Sequence, residues 1–533
     1  MKKKWIALLM AACLSTSTAA GCGSKVQEEG AEPQENAQGN EAEDAGENAD
    51  PGTAGSQEED ADLTDITVSF WTLYGVPEEK DMVEEAINEI TEEEIGVTVH
   101  LNIMDVGTYL VNGSMVNGVM NGEDFDLVLT TPGMSGHFAN MRNNGMLLPL
   151  NDLLEEYGAG IQETVPENLF SATTKDGTIY AVPAYYNLQK SVYYAVKREV
   201  AEACNLDLDS IKDLDGVEKA LAAIKEAFPE KNGISGGAQN LNIFEAGFAI
   251  TDKRMYDSLG TDGVLTAVFF DDDTLEVKSW YETEEFKKAA DYAKRWYDLG
   301  YMDKDLAVNA TQTDPFADSD VNASSFYFSN DTLVKQYQAM HDFVYVKLMD
   351  TGIQTSDVQM FTWGLPTSCD EPEAAMKFLN LMYSDAEVLN LLGYGIEGRH
   401  YVEKGDGIIG YPEGKNETSN GYAIGSALLS GFGNSFLLKV WEGADADANE
   451  QALAAMEQAV YSPLMGFTLD TTEIGDLYSA LSSIARNEYG PALKCGSGTD
   501  GYYEEFIKKL QDAGLQELLD EANDQVQAWI AAH

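Results

Sequence analysis

Five aromatic residues fall where the hydropathy pattern ends a strand or opens a loop: Tyr74, Tyr185, Tyr186, Trp363 and Trp441. Asn187, Asn330, Glu397 and Asn434 accompany them, and Thr131 and Ser329 stand at the ends of two predicted strands. Flat apolar rings interleaved with amides, hydroxyls and carboxylates suit a pyranose: the ring packs on its C–H face while polar groups hold its hydroxyls. Core packing is the competing explanation for each aromatic, and the same set would serve a peptide.

Other chemistry finds less support. The five histidines, His100, His137, His341, His400 and His533, are scattered with no i, i+4 pair. Asp445, Asp447 and Asn449 open like a calcium loop, but Glu450 stands where that loop needs Gly and Met456 where it needs Glu. No phosphate loop, nucleophile elbow or zinc-protease motif occurs. With 91 acidic residues, any carboxylate pair chosen for glycoside hydrolysis carries no information. No metal, cofactor or catalytic group is expected, and a surface glycoside hydrolase stays only as a distant alternative.

The elements that must position these residues alternate in type. Residues 66–71 (ITVSFW), 97–103 and 125–130 read as strands. Between them lie an acidic amphipathic helix over 78–93, with Met82, Val83, Ala86, Ile87 and Ile90 inward, and a second helix over 109–120. That order predicts parallel βαβ units, with ligands outside the strands' carboxyl ends. Residues 323–330 form another strand, and 360–365 a short one before a cap-rich turn. There Ser368 and Asp370 can accept from free helix amides, and Pro372 suits the first turn. Ala375, Phe378, Leu379, Met382, Leu389 and Leu392 then recur at helical spacing, ahead of Gly393, Gly395 and Gly398.

Composition bounds the rest. The formal charge of −58 argues against nucleic acid and against direct contact with anionic headgroups. Lys2, Lys3 and Lys4 precede a short apolar run closing on Thr18-Ala19-Ala20-Gly21-Cys22. Small residues before that cysteine resemble the bacterial lipoprotein cleavage box, which implies a lipid on Cys22; Ala19 replaces the usual Leu. Residues 23–65 are acidic, with almost no large apolar side chains, so they read as a disordered tether. A flexible chain of that length spans about 35–40 Å r.m.s.. Cys204, Cys369 and Cys495 remain in the body, an odd number without metal spacing, which permits at most one disulfide.

Three segments then point to a family. Residues 144–151 (NGMLLPLN) form a Gly–hydrophobic–Pro–Leu turn, 176–183 (DGTIYAVP) a D-G-x-x-Y-A-x-P hairpin, and 361–402 a strand–helix return segment. In this order, behind a lipoprotein box, the chain resembles the family 1 extracellular solute-binding proteins, which collect substrate for ABC importers. Residues 461–533 resemble the helical C-terminal domain of a carbohydrate-associated subgroup.

The resemblance implies an α/β, two-lobed, periplasmic-binding-protein-like fold of type II with crossover hinge strands. Its expected boundaries are 1–22 signal, 23–65 tether, 66–183 with 358–402 as lobe 1, and 184–357 with 403–460 as lobe 2. Residues 461–533 would form a helical domain packed on the lobes. It places Tyr185, Tyr186 and Asn187 at the cleft, just past a hinge-like Pro183. Arg399 and His400 are expected to hold the Gly-rich turn through Glu397 or backbone. The function implied is an extracytoplasmic, lipid-anchored, monomeric receptor that captures an oligosaccharide and delivers it to an ABC permease. A peptide receptor of the same fold is the main alternative.

Overall fold

In the segment TDITVSFWT every residue from Val68 onward is buried, as expected of a strand covered on both faces. It forms β1 (Thr64–Thr72) in a computed structural model that describes residues 63–111, 113–131, 138–234, 253–261, 264–304, 321–340 and 342–532. The expected signal, nearly all of the expected tether and the Cys22 lipidation site lie outside the described residues, as do His137, His341 and His533.

The helix Lys80–Ile95 follows, buries Val83, Ile87 and Thr91, and ends on Gly96 in the left-handed region. Met82 was expected inward; it is 39% exposed, because Val83 rather than its neighbour faces the sheet. β2 (Val97–Asp105) pairs parallel to β1 along its whole length, and β3 (Leu127–Thr130) joins β1 on the other side. The expected helix over 109–120 is split into a wide turn, Gly107–Val111, and a helix, Ser114–Asn121.

Asp176 and Gly177, both at positive φ, turn β4 (Thr174–Lys175) into β5 (Thr178–Ile179). β6 (Val182–Pro183) then enters the first sheet. The second lobe is built on β7 (Ser191–Lys197), buried at every position, with β8 (Tyr256–Asp257), β9 (Thr266–Phe269) and β10 (Lys278–Ser279) in a sheet of their own. β11 (Ser324–Ser329) and β12 (Phe343–Asp350) flank β7, both antiparallel.

β13 (Thr362–Gly364) returns to the first sheet, giving the order β2-β1-β3-β13-β6. Helices Pro372–Ser384 and Ala386–Tyr394 follow, separated by Asp385, whose carboxylate accepts from the amides of Glu387 and Val388. Neither Ser368 nor Asp370 caps the first of these. Glu371 occupies the N-cap without a side-chain bond, and Ser368 Oγ is buried with no partner among the described residues. A small sheet of β14 (Val402–Gly405), β15 (Ile408–Gly410) and β16 (Val440–Trp441) comes next.

Two apolar cores result, one on each sheet system. Tyr422, Ile424, Leu428, Phe432, Leu438 and Met456 pack with the first sheet, so segment 403–460 sits against lobe 1 and not, as expected, in lobe 2. The C-terminal helices bury Leu481, Leu510, Leu518 and Val526 in the second core. Asn523 fixes them there, accepting from Val277 N–H at 2.9 Å and donating to its carbonyl at 3.0 Å.

Three crossover segments join the lobes and bond to one another. Thr351 N–H donates to the Lys190 carbonyl (2.9 Å), Ile353 N–H to Val460 (2.9 Å) and Ser462 N–H to Ile353 (2.8 Å). Lys190 Nζ and Asp357 pair across them at 2.8 Å. Cys204, Cys369 and Cys495 are all free thiols. No described helix is long and apolar enough to cross a membrane.

Candidate functional site

β13 runs antiparallel to both β3 and β6, with Thr362 opposite Thr130 on one side and Pro183 on the other. The carboxyl ends of β1, β3 and β6 therefore share one sheet edge. Tyr74, Thr131, Tyr185 and Tyr186 all leave from that edge. Thr131 Oγ1 and Trp71 Nε1 are buried there without a hydrogen-bond partner among the described residues.

Beside this edge lies a cavity of about 320 Å³. Its lining comes mostly from residues 393–449, with Thr332 and Leu333 contributed by the helix Asp331–Met340 of the second lobe. The size falls at the lower end of the range for small-molecule sites. Trp441 is half-buried on its wall, with Tyr411 at 4.6 Å and Tyr394 at 5.4 Å between ring centroids.

Polar groups alternate with these rings. Lys439 Nζ lies 3.1 Å from Glu397 and 3.0 Å from Glu403, and faces the Tyr401 ring at 5.4 Å. Burial opposes its charge, but the bonds to Glu403 and Glu397 outweigh it and hold the ammonium above the usual lysine range. Glu417 is the opposite case: burial raises its carboxyl, and a hydrogen bond from the Tyr74 hydroxyl only partly offsets this. Asn449 Nδ2 is committed to the Phe436 and Leu438 carbonyls at 3.1 and 2.9 Å, which fixes the chain that carries Lys439.

Glu79 braces the cavity wall from outside. Its amide donates to the Gly421 carbonyl at 3.1 Å, and its carboxylate receives Arg399 at 2.6 and 2.9 Å and His400 Nε2 at 2.8 Å. The Arg399 bond, aided by His400, lowers the Glu79 carboxyl to about 2. Arg399 and His400 do hold the Gly-rich turn, His400 through the Ile396 backbone amide at 2.8 Å as expected and both through Glu79; the other expected partner, Glu397, is taken by Lys439.

Of the residues singled out in the sequence, Trp441 lines the cavity directly. Tyr74 stands behind its wall, bonded to Glu417 and 3.5 Å from where a Cβ on Gly425 would sit. Glu397 reaches it through Lys439. Tyr185 is bracketed by backbone: its N–H donates to Gly433 and its carbonyl accepts from Ser435, while its ring meets Phe436 at 4.9 Å. Asn330 caps the helix that supplies Thr332 and Leu333, accepting from Leu333 N–H at 2.9 Å.

The others are structural in this conformation. Trp363 was expected at a ligand and is fully buried, its Nε1 donating to the Gly431 carbonyl at 2.7 Å. Tyr186 is 7% exposed and donates to the Asp357 carbonyl at 3.2 Å. Asn187 accepts from Gln189 N–H, and Asn434 from Phe436 N–H. Ser329 is buried at the end of β11, opposite Ser191. Tyr394, Tyr411, Tyr422, Glu417 and Lys439 went unnoticed as lining residues. Their one sequence signal was an unusual density of aromatic and glycine residues between 393 and 443.

Known proteins share this sequence pattern and this fold. The family model for "Bacterial extracellular solute-binding protein" matches residues 85–396, more than half of the chain. A "Domain of unknown function (DUF3502)" matches residues 463–531, the C-terminal helices. A carbohydrate ABC transporter substrate-binding protein of Streptococcus pneumoniae is 23% identical over 472 residues, covering 86% of this chain and 90% of that one. The polygalacturonan/rhamnogalacturonan-binding protein YtcQ of Bacillus subtilis is 20% identical over 479 residues, covering 84% and 89%. The crystal structure of the N-glycan transport solute binding protein NgtS from Streptococcus pneumoniae shares the fold at a TM-score of 0.74 and 20% identity, covering 88% of this chain and 99% of that one. The chain belongs to the bacterial extracellular solute-binding protein family.

Proposed function

We propose that this protein is a receptor, lipid-anchored through Cys22 to the outer face of the cell membrane, that captures an oligosaccharide and passes it to an ABC permease. The carrying observation is the cavity wall, where the half-buried Trp441 and its neighbours Tyr411 and Tyr394 stand beside Lys439, Glu417 and Glu442. Rings of this kind pack on a pyranose, and the polar groups hold its hydroxyls. Because Thr332 and Leu333 come from the other lobe, a bound sugar would touch both lobes and favour their closure. The names of the relatives support a carbohydrate cargo. The role requires no covalent chemistry, and a monomer suffices.

Thermal unfolding of the purified protein against panels of oligosaccharides and short peptides tests this. A ligand at 100 times its dissociation constant adds about 2.7 kcal/mol of stability. A shift with a glycan class is the expected result. A shift with peptides alone would keep the receptor and replace the cargo, and no shift with either panel would sink the proposal.

A further inference from the structure

The charges around the cavity bear on which sugars it accepts. Its charged lining consists of two carboxylates, Glu417 and Glu442, and one cation, Lys439. That cation is already occupied. Its ammonium donates to Glu397 at 3.1 Å and Glu403 at 3.0 Å, and its remaining side lies toward the Tyr401 ring. No Arg or His lines the cavity among the described residues. The segments 235–252 and 305–320 contain no Lys, Arg or His in sequence, and segment 132–137 contains no Lys or Arg and one histidine, His137.

A carboxylate-bearing ligand would meet Glu417, half-buried and hydrogen-bonded to Tyr74, with no unpaired cation among the described lining residues to offset the repulsion. To recruit Lys439 it would have to displace two existing partners. Neutral hydroxyls meet no such barrier, because Glu417 and Glu442 are acceptors that sugar O–H groups satisfy. Taking the cavity to be the glycan site, we propose that this receptor selects uncharged oligosaccharides and discriminates against those carrying uronate or sialate groups.

The test is calorimetric titration of the full protein with neutral oligosaccharides, among them Man5GlcNAc, and with acidic ones of comparable length. The acidic set comprises tetragalacturonate, a mannuronate pentamer and a sialylated biantennary N-glycan beside its desialylated form. Neutral ligands should bind, with the acidic ones at least tenfold weaker and gaining affinity as salt is raised, since screening weakens repulsion. Acidic ligands that bind as tightly as the neutral ones, or lose affinity with salt, would overturn the charge selection while leaving the sugar receptor standing. Absence of binding by every sugar would overturn the receptor reading itself and this proposal with it. Glu417→Gln with Glu442→Gln should narrow the neutral-to-acidic ratio by threefold or more. An unchanged ratio in a folded double variant would overturn the assignment to these carboxylates.

Discussion

Glu79 Oε2 and His400 Nε2 lie 2.8 Å apart, and the other face of the imidazole fixes which atom carries the proton. Nδ1 accepts the Ile396 N–H at 2.8 Å, so it holds no hydrogen, and the neutral ring donates from Nε2 to the carboxylate. Protonation would set an Nδ1–H against the Ile396 amide. His400 is fully buried, and its ring stands 5.7 Å from Tyr422 of the cavity wall.

A pH dependence follows from that arrangement. Burial, only partly countered by Glu79, lowers the His400 pKa from its usual 6.5. Below that value the unfolded chain takes up a proton that the folded chain resists, so stability falls as pH drops from neutrality. Glu79, lowered from 4.5 to about 2, contributes a constant term there and loses it progressively as pH falls from about 4.5 toward 2. Asp257, raised by burial to about 6, has the opposite slope, because between 3.8 and 6 its folded form binds the proton better. The His400 contribution is therefore read as a difference between proteins. Urea unfolding at pH 7.5 and 6 should show wild type losing stability, and His400→Gln, less stable at pH 7.5, losing less. An equal loss in both would contradict the lowered His400 pKa.

Two tryptophans should separate stability from binding. Trp363→Ala removes a fully buried ring and orphans the Gly431 carbonyl; such core truncations cost about 3–5 kcal/mol. Trp441→Ala removes a half-buried ring from the cavity wall and should change stability by about 1 kcal/mol or less. Loss of its stacking on a sugar should weaken binding by about tenfold, equivalent to about 1.4 kcal/mol. Paired thermal melts and calorimetric titrations decide it. Intact affinity in Trp441→Ala would remove that residue from the site.

The division of labour between those tryptophans explains what the sequence could carry. The strand at 66–71, the D-G turn at Asp176–Gly177 and the periodicity of Ala375 to Leu392 are local, and each appears where expected. Which aromatic faces solvent is decided by elements distant in sequence. Trp363 is sealed by Phe70 and Phe432, and Tyr186 by Phe361. Segment 403–460 has weak periodicity and short elements, so its attachment to the first core depends on the long-range burial of Tyr422, Leu428 and Met456. The same holds for the Lys439–Glu397 pair, which joins residues 42 apart. Pro372 marked the helix start correctly, but the flanking Ser368 and Asp370 have no part in its cap.

Gly433 should be intolerant for a backbone reason. It sits at φ +42°, and a Cβ there would fall on the Met382 carbonyl oxygen. Its own carbonyl accepts the Tyr185 N–H at 2.8 Å. Gly433→Ala combines about 1–2 kcal/mol of left-handed strain with overpacking of about 1–3 kcal/mol. Because Ser435 lines the cavity two residues later, affinity should fall along with the melting temperature. A destabilised variant with unchanged affinity would show that this strand crossing does not set the cavity wall.

Gly496 tests the seat of the C-terminal helices. At φ +65°, a Cβ would fall on the Ala293 carbonyl oxygen within the helix Glu284–Asp298 of the second core. Gly501, at φ +84°, has nothing within 4 Å of the same position and is the matched control. Gly501→Ala should cost about 1–2 kcal/mol from backbone strain alone. Gly496→Ala should cost about 1–3 kcal/mol more, because two rigid backbone segments cannot give way. No described residue beyond 449 lines the cavity, so a folded Gly496→Ala protein should bind its sugar with the wild-type constant. Chemical unfolding gives the first comparison and titration calorimetry the second. A loss of affinity in Gly496→Ala without one in Gly501→Ala would mean that the docking of these helices on the second lobe is felt at the ligand site.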